Sequence, residues 1–86
     1  MGRSRYDMAA DLRIRALELG CATLNGNGYT YRRIADNLLR YQADDATLGN
    51  DKPLGRRLLI KDCKDAAFSL GHHDLNEELD RLWGLA

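Results

Sequence analysis

The chain has 86 residues, 44% hydrophobic and 30% charged, with 13 basic and 13 acidic side chains that cancel to a formal net charge of zero. This length holds one domain (1–86) with one core, and the aliphatic content excludes a disordered chain. Neutral balance argues against a dedicated nucleic-acid binder, which carries a basic surplus or a basic face, and no run is long and apolar enough to span a membrane.

The first helix is expected over 5–25. Ser4 with Asp7 three positions on resembles a capping box, with Asp in place of Glu. Asp7, Asp11, Arg15 and Glu18 form one polar line, and nearly every other position is apolar or small. A surface helix shows the reverse proportions, so this helix is expected to be covered on two sides. The apolar line Ala10, Ile14, Leu17, Cys21, Leu24 runs through Gly20, which costs roughly 1 kcal/mol relative to Ala. Ala9, Ala16 and Gly20 make a ridge of small residues that allows a close helix approach, within a monomer or across a homodimer. Arg13 lies in that ridge, where its stem packs and its head snorkels or meets a carboxylate.

Asn25-Gly26-Asn27-Gly28 is turn chemistry, without the spacing of a phosphate-binding glycine loop. Thr30 is the expected N-cap of a second helix over 31–42. Its apolar face is Tyr31, Ile34, Ala35, Leu38, Leu39 and Tyr41. On the polar face, Asp36 is placed to pair with Arg32, Arg33 or Arg40, and those three arginines are the candidate contacts for phosphate or an acidic partner. Residues 28–39 (GYTYRRIADNLL) resemble the first helix of a helix-turn-helix DNA reader. Leu39 stands where that motif usually has Gly, and the next expected helix is too distant for the motif's short turn.

Residues 43–52 are expected to be loop, and their acids lack the ligand spacing of a calcium loop. Pro53 suits the first turn of a third helix over 54–70, stopped by Gly71. Its core face is Leu59, Ile60, Cys63, Ala66, Ala67 and Leu70. On the other side Arg57, Lys61 and Lys64 lead to Phe68, with Leu54 and Leu58 beside them. Cations ending in an aromatic and flanked by leucines suit a partner-binding face, against the simpler expectation that the cations are solvated or paired with Asp62 and Asp65. His72-His73 lead into a fourth helix over 75–84, with Asp74 and Glu77 spaced as a capping box. The histidines have no further ligands at zinc spacing, and neither metal nor cofactor is expected.

The expected fold is an all-α, irregular four-helix bundle. Cys21 and Cys63 both fall on apolar faces and read as buried free thiols in a reducing cytoplasm, and no secretory signal is recognisable. None of the GxSxG, HExxH, Walker or CxxC patterns is present, so the chain reads as non-catalytic. The function expected is a small protein-binding module: an adaptor, regulatory subunit or inhibitor, of cellular, phage or mobile-element origin. The alternative is a nucleic-acid-binding regulator with a degenerate helix-turn-helix-like arrangement.

Overall fold

The computed structural model describes residues 4–23, 26–43 and 51–85. They form four α-helices: α1 (Arg5–Ala22), α2 (Asn27–Ala43), α3 (Lys52–Ser69) and α4 (His73–Leu85). Each helix packs on the next in the chain and α4 closes back on α1, so α1 and α3 occupy opposite corners of a small all-α bundle.

The core is assembled from one face of each helix. Ala9, Leu12 and Ala16 come from α1, and Ile34, Ala35, Leu38 and Tyr41 from α2. Leu59, Ile60, Cys63, Ala66 and Ala67 come from α3, and Leu75, Leu79 and Leu82 from α4. The expected core face of α3 is therefore the observed one, apart from Leu70, which is half-buried. Fully burying one of the large side chains is worth about 1.5–3 kcal/mol relative to leaving it exposed.

The caps decide the helix limits. Ser4 Oγ accepts a hydrogen bond from the Asp7 amide at 3.1 Å, satisfying one orphan donor of α1. At the far end Thr23 turns extended, and its hydroxyl donates to the Leu19 carbonyl at 2.8 Å. α1 thus ends at Ala22, short of the expected 25; Leu24 and Asn25 lie outside the described residues. Asn27 and Gly28 are the first residues of α2 rather than turn, so Thr30 sits inside the helix and does not cap it. At α3 the cap is Asp51, whose carboxylate accepts from the Leu54 amide at 3.1 Å, with Pro53 in the first turn. Residue 43 belongs to α2 and 52 to α3, while 44–50 of the expected loop lie outside the described residues. Gly71 takes φ +71°, the left-handed conformation that ends α3 as expected. α4 then starts at His73, ahead of the expected 75, and the His72 carbonyl takes its first hydrogen bond, from the Asn76 amide at 3.1 Å. Asp74 is therefore in the first turn and not the cap.

The small-residue ridge of α1 is spent within the chain. A Cβ at Gly20 would lie 3.3 Å from the Gly28 carbonyl oxygen and from the Tyr31 Cβ, and one at Gly28 would lie 3.1 Å from the Gly20 carbonyl oxygen. At the other end Tyr6 and Tyr41 rings stand 6.0 Å apart, so the antiparallel α1–α2 pair stays together along its length. The ridge is not available as a dimer seam. α1 is covered on two sides as expected, by α2 and by α4, but a third flank stays open: Ile14 is 51% exposed, and Leu17 and Cys21 are exposed too. Its apolar positions circle the helix, and four helices in a ring leave each a solvent face. Leu39 of α2 is likewise exposed.

Candidate functional site

The outer face of α3 holds the residues expected to meet a partner. At 100° per residue, Leu54, Leu58, Lys61 and Phe68 fall together on the side away from Leu59, Ile60 and Cys63. Phe68 is 78% exposed, Leu58 58% and Leu54 52%. Ten residues separate Leu58 from Phe68, about 15 Å along the helix. Lys61 and Asp65 occupy the interval, paired at 3.1 Å, in line with the simpler expectation for that cation.

The other two cations are not displayed as the sequence suggested. Lys64 Nζ lies 2.6 Å from Asp80 of α4 and 5.1 Å from the centre of the Trp83 ring. Arg57 stands over the same ring at 5.8 Å. Both therefore pack at the α3–α4 seam, and the indole fills the space between them. The basic line is divided: its cations have intramolecular counterparts, while its apolar members face solvent. Trp83, half-buried on α4, is a member of this site that the sequence did not single out, because nothing local shows which residues of α3 its ring will meet. Desolvating Phe68 and the leucines on a partner is favourable at about 25 cal/mol per Å² of apolar surface, and the neutral Lys61–Asp65 pair imposes little charge preference.

The arginines of α2 divide in the same way. Arg33 pairs with Asp62 of α3 instead of Asp36 of its own helix, and Asn37 donates a hydrogen bond to the same carboxylate. The Arg33 hydrogen bond, aided by Asn37, holds the Asp62 carboxyl below the usual carboxylate range, and Asp62 in turn raises Arg33. Arg33 is thus committed to joining α2 and α3. Arg32 and Arg40 make no ion pair among the described residues, and with the exposed Tyr29 they line a shallow cleft of about 260 Å³.

Elsewhere, Arg15 reaches Glu78 at 2.8 Å and ties α1 to α4. His72 does not stand free: its Nδ1 shares a 3.0 Å hydrogen bond with the Tyr31 hydroxyl, at the turn between α3 and α4. Cys63 is buried, its thiol donates toward the Ile34 carbonyl at 3.6 Å, and burial pushes its pKa up to about 12. It is an inert core residue. Cys21, expected to be buried like it, is exposed. Among the described residues no helix is long and apolar enough to cross a membrane. No family model, curated protein or solved structure matches this chain.

Proposed function

We propose that the protein is a small docking module that binds a larger protein through the outer face of α3, as an adaptor, regulatory subunit or inhibitor. The observation that carries this reading is Phe68, a large aromatic exposed on the same helix face as Leu54 and Leu58. Interfaces concentrate their energy in a few such anchors. Lys61 contributes at the rim, and Arg57 and Lys64 act mainly by fixing Trp83 beside the face, so the partner is matched by shape and apolar area more than by acidity.

The test is a comparison of wild-type, Phe68→Ala and Leu58→Ala proteins, each immobilised and challenged with native-cell extract, followed by titration of the retained protein. Phe68→Ala should weaken binding about tenfold or more, with thermal stability unchanged because the side chain lies outside the core. Equal affinity in both variants would remove this face. Binding through it should also survive moderate salt.

A second reading, a nucleic-acid-binding regulator, draws on the Arg32–Arg40 cleft with Tyr29 at its edge. Two guanidinium groups with no ion pair among the described residues, and an exposed ring, suit phosphate and base contacts. Fluorescence anisotropy of a labelled duplex and a labelled single-stranded RNA separates the two readings. Phosphate binding would appear at low salt, collapse by roughly 200 mM, and weaken in Arg32→Ala and Arg40→Ala but not in Phe68→Ala.

A further inference from the structure

The solvent face of α1 carries Ala10, Ile14, Leu17 and Cys21, none of them in the core. Their spacing is 4, 3, 4, the repeat of a coiled-coil seam. Taking Ile14 and Cys21 as the a positions makes Ala10 and Leu17 the d positions. The flanking e positions are then Asp11 and Glu18, and Arg13 is at g. In a parallel pair of helices a g residue meets the e residue five positions later on the other helix. Arg13 would therefore meet Glu18 of a second copy, and Glu18 would meet Arg13 of that copy. Neither side chain has an ion pair among the described residues. An antiparallel pair would set g against g and e against e, bringing arginine to arginine and acid to acid.

We propose that this face is a homodimer seam, in which α1 packs in parallel and in register against α1 of a second copy about a two-fold axis along the helices. The a and d positions lie roughly 110° around α1 from the centre of the Ala9–Ala16–Gly20 ridge, with Arg13 on the border between the two, so dimerisation leaves the α1–α2 contact intact. α3 occupies the opposite corner of each bundle, and the dimer presents two outer α3 faces pointing away from each other. That arrangement gives avidity to a partner offering two copies of its binding surface. The inference does not depend on the docking role of α3.

Sedimentation equilibrium with a thiol cross-link tests it. The full chain should be dimeric at tens to hundreds of micromolar, consistent with a small interface. Ile14→Asp should return it to monomer with its helicity and melting temperature retained, because Ile14 lies outside the core. Glu18→Arg should weaken association on the order of fivefold, and Arg13→Glu with Glu18→Arg should restore it. In register, the two Cys21 thiols face each other, and a short bis-maleimide should link the dimer in wild type but not in Cys21→Ser; buried Cys63 does not compete. An antiparallel pair crossing at Ile14 would hold the two Cys21 residues on the order of 20 Å apart. A monomer at about 0.5 mM, which would leave association no tighter than the millimolar range, overturns the proposal. So does a dimer that Ile14→Asp leaves intact or that Cys21 fails to link.

Discussion

The α1–α2 pair and the α3–α4 pair solve the same packing problem by different means. In α1–α2 the backbones meet, since Gly20 and Gly28 each stand where the other helix would strike a Cβ. In α3–α4 long side chains span the gap. Lys64 pairs with Asp80 and packs on Trp83, Arg57 lies over the same ring, and the Asn76 side-chain amide donates to the Lys64 carbonyl at 3.0 Å. The first pair is specified by absent atoms and the second by flexible ones. Close-packed interiors transmit added volume as strain, whereas a partly solvated side chain can move aside. The first contact should be brittle to enlargement and the second tolerant of replacement.

Gly20→Leu tests the brittle side and carries the largest expected effect. Overpacking against the Gly28 carbonyl and Tyr31 should cost about 1–3 kcal/mol, read as a lower urea midpoint. Gly20→Ala sharpens the comparison: its helix-propensity gain of roughly 1 kcal/mol works against a single tight Cβ, so its stability should stay near wild type. On the tolerant side, Asn76→Ala removes one neutral hydrogen bond between α3 and α4 and should cost about 1 kcal/mol. Lys64→Met keeps most of the apolar stem and loses a partly solvated ion pair worth roughly 0–1 kcal/mol. Equal sensitivity at Gly20→Leu and Lys64→Met in the same urea titration would break the contrast.

The smallest effect joins the two pairs. Asp62 is held below the usual carboxylate range by Arg33 and Asn37 across the α2–α3 contact. A depressed folded-state pKa contributes stability above the unfolded value, and that contribution is lost as pH falls through the folded value. Acid titration of stability should therefore show a loss beginning near the ordinary value of 3.8 that Asp62→Asn abolishes. Cys63 has the opposite sign. Its folded pKa is raised from 9.0 to about 12, so its contribution is complete below 9.0 and disappears as pH rises toward the folded value. Cys63→Ala should remove that alkaline limb from the same titration.

Much of the bundle was legible from residue order. Pro53 and Gly71 bracket α3 because one has a fixed φ suited to a first turn and the other tolerates positive φ. Ser4 caps α1 because its hydroxyl reaches a free amide three residues on. The α3 core face was readable because its small and aliphatic residues cluster on one arc. The limits of α2 and α4 were less legible. Asn27-Gly28 have the chemistry of a turn, and only the close contact of Gly28 with Gly20 shows why a glycine is needed inside the helix. Of the candidate site, the exposure of Leu54, Leu58 and Phe68 matches the expected face. The division of its cations does not, because Asp80 and Trp83 are far from Lys64 in sequence and adjacent only once α4 folds back.

By itself the sequence determined that this protein is four helices around one core, since helical periodicity, caps and turn residues are local properties. It also determined which arc of α3 would be buried, because that arc is apolar and the remainder is mixed. Tertiary structure alone decided which flank of α1 is covered. Apolar residues circle that helix, and the choice between Ala9–Ala16–Gly20 and Ala10–Ile14–Leu17–Cys21 fell to the flank that Gly28 could approach. It likewise decided which ions pair, sending Arg33 to Asp62 and Lys64 to Asp80, because an ion pair depends on distance in space and several partners were equally close along the chain.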